Sequence, residues 1–292
     1  MIDFKSIPPD RPILIAGPTA SGKSALALAI AEAHGGIIVN ADALQVFNGW
    51  RILTARPGDD DLARVEHRLY GHIPFEQDYS VGHWLREIAD IFAKPSARPI
   101  IVGGTGLYFK ALTEGIADIP RTPPDIRAQA DAKLASAGLP ALIADLDAAT
   151  LARIDQKNPM RVQRAWEVLN ATGQSIAEWQ DATPPPLLPL SDCTPILIDA
   201  DRDWLNARID KRFGLMLEQG ALDEARKMEP VWNPDFLSSK AIGASELIAY
   251  LRDEITLDQA SERARIASHQ YAKRQRTWFR AHMKDWHRHD AA

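Results

Sequence analysis

One eight-residue stretch constrains the chain more than any other: Gly17-Pro18-Thr19-Ala20-Ser21-Gly22-Lys23-Ser24. It fits G-x-x-x-x-G-K-[ST], a loop whose backbone cradles phosphate groups. Its flanks supply the context the pattern needs. Pro12-Ile13-Leu14-Ile15-Ala16 is a short apolar run of the kind that forms a buried parallel strand. Ala25 to Glu32 is built from strong helix formers. Glycines permit the tight turn and a close backbone approach to an anion. The N–H groups of the loop and of the helix N-terminus then point at phosphate oxygens. Lys23 adds a point charge, and the Ser24 hydroxyl is placed for a magnesium ion. The plain alternative is an ordinary glycine-rich strand-to-helix turn. The loop predicts a bound di- or triphosphate without saying what becomes of it.

The 292 residues suffice for one large domain or for a core that carries an inserted one. Hydrophobic residues make up 46% and charged ones 25%, an ordinary globular balance. No apolar run approaches the ~20 residues of a membrane span, so no membrane partner is expected. Met1 to Pro9 lacks the apolar centre of a signal peptide. The single cysteine, Cys193, excludes an internal disulfide, and a cytoplasmic protein is expected. The net charge of -5 argues against indiscriminate nucleic-acid binding, but it hides an asymmetry. Arg263, Arg265, Lys273, Arg274, Arg276, Arg280, Lys284 and Arg288 form a basic stripe in which Asp285 is the single acid. A local stripe is what phosphate-backbone binding needs.

After the loop helix, Ile37-Ile38-Val39 reads as a second buried strand, followed by Asn40-Ala41-Asp42. Ligands of open α/β sheets bind beyond the carboxyl ends of strands, so Asp42 lies where chemistry is expected, although it also suits an N-cap. A short strand is expected within Glu66 to Ile73, then a helix from about Val81 to Phe92 with Trp84, Ile88 and Ile91 as core residues. Pro99-Ile100-Ile101-Val102 is the next clear strand and runs into Gly103-Gly104-Thr105-Gly106, a second wall of the same site. From Pro120 to about Gly173 there is no strand signal. Helical patterns run near Pro124–Ala137, Pro140–Leu146 and Pro159–Thr172. Pro195 to Ile198 returns as a strand, and everything after it reads as helical: 202–219, 221–228, 245–251 and 257–282. The expected architecture is α/β: a phosphate-loop core with a parallel sheet, a helical insertion and a helical C-terminal region. The divisions are 1–119, 120–182 and 183–292.

An ordered set of residues carries a resemblance over nearly the whole chain. It comprises Gly17–Ser24, Asp42 with Gln45, Gly49, Thr54-Ala55-Arg56-Pro57, and Val102 to Tyr108. It continues through Asn158-Pro159, Arg161, Arg164-Ala165, Ala241-Ile242-Gly243, Tyr271 to Gln275 and Thr277-Trp278-Phe279. The chain resembles the bacterial tRNA dimethylallyltransferases, also called tRNA isopentenyltransferases. The resemblance implies transfer of a dimethylallyl group from dimethylallyl diphosphate to the exocyclic amine of the adenosine 3′ of the tRNA anticodon, with diphosphate released. It implies Asp42 as general base and Thr105 as hydrogen-bond donor to the bridging oxygen. Gly17, Pro18, Thr19, Ala20, Ser21, Gly22, Lys23 and Ser24 would cradle the diphosphate, Ser24 through Mg2+, together with Arg212 or Arg208, one helical turn apart. Asp42, Ala43, Leu44, Gln45, Arg127, Met160, Arg161, Val162, Gln163 and Arg164 would meet the anticodon stem-loop. The insertion would close over the RNA, and the chain is expected to act as a monomer.

The sequence departs from the commonest pattern at Ala43 (often serine), Phe47 (often tyrosine), Arg51 (usually acidic) and His269 (usually arginine). These touch RNA contact and packing rather than the base, the loop or Thr105. Two other readings stay open at this point: a phosphate-loop kinase of a nucleotide or small metabolite, and a non-catalytic RNA-binding module that retains the loop. The solvated helix face is the plain reading of Arg161 and Arg164 from charge pattern alone.

Overall fold

The computed structural model describes residues 8, 10–94 and 97–291. Residues 1–7 and 9, most of the stretch read for a leader, lie outside the described residues, as do 95, 96 and 292. Contacts divide the chain into two compact units. One takes in the residues up to Thr113 with those from Leu187 onward, and the other is Glu114–Pro186.

The first unit is organised by a sheet. Among the described residues its strands are β1 (Ile13–Ala16), β2 (Ile37–Asn40), β3 (His67–Arg68), β4 (Pro99–Gly103), β5 (Thr194–Asp199) and β6 (His287–Asp290). They lie in the order β3-β2-β4-β1-β5-β6, every neighbouring pair parallel. The α/β expectation with a parallel sheet therefore holds. The strands alternate faces as a pleat requires. Leu14, Val39 and Ile101 pack with Trp84, Phe109 and Phe279 on one side. Ile13, Ile15, Ile38, Ile100 and Ile196 pack with Ala27 and Ile30 on the other. The helices that cross over the sheet are α1 (Lys23–His34), α2 (Asp59–Arg64), α3 (Val81–Ala93) and α4 (Gly106–Glu114). Because all strands run one way, the segments after Ala16, Asn40, Gly103 and Asp199 leave the sheet at a common edge.

The insertion contains α5 (Pro124–Ile143), α6 (Ala148–Arg153), α7 (Pro159–Thr172) and α8 (Ile176–Asp181). Gly138, at φ 74°, breaks α5 into two helical runs, as the glycine and Pro140 in its sequence predict. α7 begins on an Asn158 cap followed by Pro159 and ends on Gly173 at φ 71°, the start and stop signals that make its bounds legible. The short α6 and α8 were not expected. Each is set by its cap, Asp147 accepting from the Thr150 N–H and Ser175 with Glu178 forming a capping box.

The chain finishes with α9 (Arg202–Glu218), α10 (Ala221–Met228), α11 (Ala244–Leu251) and α12 (Leu257–His282). Phe213, Met216, Met228, Leu247, Ile248 and Ala264 from these helices bury Trp50 and Leu53. The expectation that everything beyond β5 is helical is corrected by β6. His287-Arg288-His289-Asp290 has no apolar alternation to announce a strand. Backbone pairing to β5, an Arg288–Asp199 ion pair of 2.6 Å and the buried Met283 and Trp286 just before it hold it as a charged edge strand. No helix among the described residues is long and apolar enough to cross a membrane.

Candidate active site

The phosphate loop joins β1 to α1. Gly17 is buried where an added Cβ would stand 2.7 Å from the Ser21 Oγ and 3.1 Å from the Ile198 Cβ. Gly22 has φ 89°, and Ala20, at φ 62°, takes the left-handed form that costs a non-glycine residue of the order of 1 kcal/mol. That strain sits in the turn from which α1 rises. The N–H groups of its first turn, those of Lys23, Ser24 and Ala25, have no partner within the helix. The Ser24 side chain is exposed at this terminus. The Lys23 Nζ lies 3.5 Å from the Pro18 carbonyl. Burial pulls the Lys23 pKa down to about 8; the Asp42 carboxylate opposes this shift and Arg212 adds to it. Those two charges are therefore near neighbours of the loop.

Asp42 follows β2 in a loop that is tied down on every side. The fully buried Asn40 accepts the Asp42 N–H at 2.9 Å and donates to the carbonyls of Asp42 and Leu69 at 2.9 and 3.0 Å. Its own carbonyl accepts the Trp84 indole N–H at 2.7 Å. The Asp42 Oδ1 accepts the Leu44 N–H at 3.0 Å. Burial first, then the Asp42 charge, raises the phenol pKa values of Tyr70, Tyr108 and Tyr271.

The glycine-rich segment after β4 meets this loop. A Cβ on Gly103 would fall 2.1 Å from the Ala41 carbonyl oxygen, so only glycine fits there. The Thr105 N–H donates to the Ala41 carbonyl at 3.2 Å and its Oγ1 accepts the Ala43 N–H at 2.9 Å. With that lone pair used, the hydroxyl proton stays available for another acceptor.

A cleft opens beside these groups, with Thr19, Asp42, Thr54, Arg212 and Tyr271 on its polar part and Leu53, Phe213, Met216 and Ile242 on its apolar part. Burial lowers the Arg212 pKa, against the pull of Asp42. Arg208 behaves differently. It is exposed, its Nε donates to the Ala20 carbonyl at 2.8 Å, and its guanidinium lies 4.7 Å over the Trp204 ring. Of the two arginines, Arg212 is the one lining the cleft. Among the RNA candidates of this unit, Leu44 lines the cleft and Ala43 adjoins Thr105. Gln45 directs its amide N–H groups inward, to the carbonyls of Thr54 and Ala55 at 2.7 and 3.2 Å.

Within the insertion, Arg161 is exposed on the first turn of α7 beside Met160, which is 82% exposed. Arg127, Gln163 and Arg164 gather round the buried Glu167, at 3.6, 3.2 and 3.9 Å, and Arg164 also donates to Thr122. Val162 corrects the expectation that it touches RNA. It is wholly buried, packed with Ala130, Leu142 and Trp166, because α7 turns its inward stripe through that position. The C-terminal stripe divides likewise. Arg265 pairs with Asp210 and Glu262, Arg288 with Asp199, and Arg274 lies 5.8 Å over the Tyr271 ring. Arg276 and Arg280 line a second cleft beside Pro18. His269, at the unusual position, bridges Asn206 at 3.0 Å and Asp210 at 2.8 Å.

The IPP transferase family's sequence model matches residues 45–282, and an isopentenyl transferase model matches residues 11–72. The chain belongs to the IPP transferase family. A tRNA dimethylallyltransferase of Cereibacter sphaeroides is 61% identical across 98% of this chain and 90% of its own length. One of a Ruegeria species is 60% identical across 99% and 98%. Among solved structures, the tRNA isopentenylpyrophosphate transferase of Bacillus halodurans superposes with a TM-score of 0.68 at 30% identity, over 97% of this chain and 90% of that one. A eukaryotic dimethylallyltransferase acting on tRNA superposes with a TM-score of 0.78 at 25% identity, over 96% and 74%. Three residues of this IPP transferase gain a place that the sequence reading did not assign them: Asn40, Tyr271 and Gln275. Tyr271 and Gln275 lie one turn apart in a helical run whose basic residues draw attention first.

Proposed function

We propose that this chain transfers a dimethylallyl group from dimethylallyl diphosphate to the exocyclic amine of the adenosine 3′ of the tRNA anticodon. The observation that carries the reading is one cleft in which the Asp42 carboxylate, Arg212 and Thr19 of the phosphate loop face an apolar wall. A kinase needs the loop but not an apolar wall at its acceptor; a five-carbon allyl chain needs both. Asp42 accepts the amine proton as the nitrogen forms its bond to the first allyl carbon. The bond from that carbon to the bridging oxygen breaks, and its electron pair leaves with the diphosphate. The charge that develops there is met by Lys23, the N–H groups of the loop and Arg212, with Arg208 holding the loop at Ala20. Thr105 donates a hydrogen bond from its hydroxyl to the bridging oxygen and keeps its proton. The Ser21 Oγ is buried without a hydrogen-bond partner among the described residues, and a diphosphate oxygen would serve as its acceptor.

The donor set also suits Mg2+. The exposed Ser24 hydroxyl would hold Mg2+ together with diphosphate oxygens and water, the all-oxygen ligands that Mg2+ prefers. Bound there, it would neutralise part of the diphosphate charge. The adenine must be splayed from its loop to reach Asp42. Arg161, exposed at the start of α7, is the residue of the insertion best suited to a phosphate of the stem. A buried unpaired Cys193 suits the reducing cytoplasm.

The test follows diphosphate. The reading expects it to be released from dimethylallyl diphosphate only when unmodified tRNA is added, one for each adenosine modified. Phosphate transfer from ATP to a small acceptor, with no dependence on tRNA, would contradict it.

A further inference from the structure

We infer that Gln275 is a positioning residue that locks the phosphate loop to the segment carrying Thr105 and, through it, to the loop of Asp42. The inference rests on the functional reading above. Gln275 projects from α12 and is 6% exposed. Its Oε1 accepts the Thr19 N–H at 2.9 Å and its Nε2 donates to the Gly104 carbonyl at 2.9 Å. The amide thus has one bond to each of two loops that leave different strands. The Thr105 N–H continues the path to the Ala41 carbonyl and its Oγ1 to the Ala43 N–H, on either side of Asp42. The fit at the junction is close. A Cβ on Gly104 would stand 2.3 Å from the Gln275 Nε2 and 3.3 Å from the Asp42 Oδ2. A side chain at position 104 would therefore displace the Gln275 amide.

The chemistry of the junction selects glutamine. It needs a donor toward Gly104 and an acceptor toward Thr19 at the end of one side chain, which an amide supplies and a carboxylate does not. α12 does not need this amide for its own seat, since Ala272 and Phe279 on the same helix are buried in the cores. The two loops hold opposite ends of the reacting arrangement, the leaving group on one side and the base on the other. Displacement at carbon needs nucleophile, carbon and leaving oxygen in line, so a small slip between the loops weakens the transition state while each substrate still binds its own loop.

The experiment compares steady-state constants for the parent, Gln275→Met and Gln275→Glu, with Thr105→Ala alone and combined with Gln275→Met. Met keeps the volume and removes both hydrogen bonds; Glu keeps the acceptor and removes the donor. We expect kcat to fall about 10- to 100-fold in both Gln275 variants, with KM for dimethylallyl diphosphate and for tRNA within about threefold of the parent. Because Gln275 acts through the Thr105 segment, the double variant should lose little more than Thr105→Ala alone. Thermal unfolding is recorded for each protein, and should Gln275→Met fail to fold, Gln275→Glu carries the comparison. Unchanged kcat, a rise in KM at constant kcat, or losses that multiply in full would overturn the inference. A parent enzyme that moves no prenyl group to tRNA would instead overturn the functional reading.

Discussion

Asp42 has one carboxylate oxygen fixed by the Leu44 N–H, while Oδ2 makes no hydrogen bond among the described residues. A base held in this way is ready to accept a proton without reorganising. Asp42→Asn should therefore lower turnover by the roughly 10²–10⁴-fold that a general base supplies. Binding of dimethylallyl diphosphate, measured without tRNA, should change little, because the amine is not part of that complex. Near-normal turnover would remove Asp42 from the mechanism. Lys23 gives a prediction in pH. Its pKa near 8 in the free protein means it is mostly charged at pH 7 and loses that charge as pH rises through 8. The terminal phosphate of the ligand, with a second pKa of about 6, is already ionised there. Affinity for dimethylallyl diphosphate should hold steady below pH 8 and decline above it, and Lys23→Arg should remove the decline. Calorimetry from pH 7 to 9 checks this, and a flat profile for the parent would detach Lys23 from the ligand.

At the scale of elements, what could be read in the sequence depends on whether a local signal and a tertiary one agree. α7 could be read to its ends because Asn158, Pro159 and Gly173 act locally. β1, β2 and β4 could be read because strands buried on both faces are apolar throughout. β6 could not, because the pairing that makes it a strand lies wholly in β5. The site divides in the same way. The phosphate loop and Asp42 announce themselves by pattern and by position after strands. Val162 was misassigned because a contiguous stretch of an α-helix cannot all face one way. This separates two variants of α7. Arg161→Ala should weaken tRNA binding and reduce the slope of log affinity against log salt by roughly one unit. Val162→Ala should instead lower stability by about 2 kcal/mol, with the salt slope unchanged. An unaltered slope and affinity for Arg161→Ala would return that residue to a solvated face.

On the scale of the whole molecule, a parallel sheet delivers every loop of the site to one edge. The strand order sets β1 between β4 and β5, so the phosphate loop emerges beside the glycine segment that reaches Asp42. The net charge of -5 disfavours attraction of any polyanion, and arginines such as Arg153, Arg265 and Arg288 are already paired with acids. The central claim is that one cleft unites diphosphate release with attack by an RNA amine. Its most direct measurement uses unmodified tRNA, carbon-labelled dimethylallyl diphosphate and Mg2+, followed by digestion of the RNA to nucleosides. The account predicts label on a single adenosine, the one 3′ of the anticodon, attached at its exocyclic amine, and almost none with Asp42→Asn. Label absent from the RNA, or spread over adenosines at many positions, would contradict it.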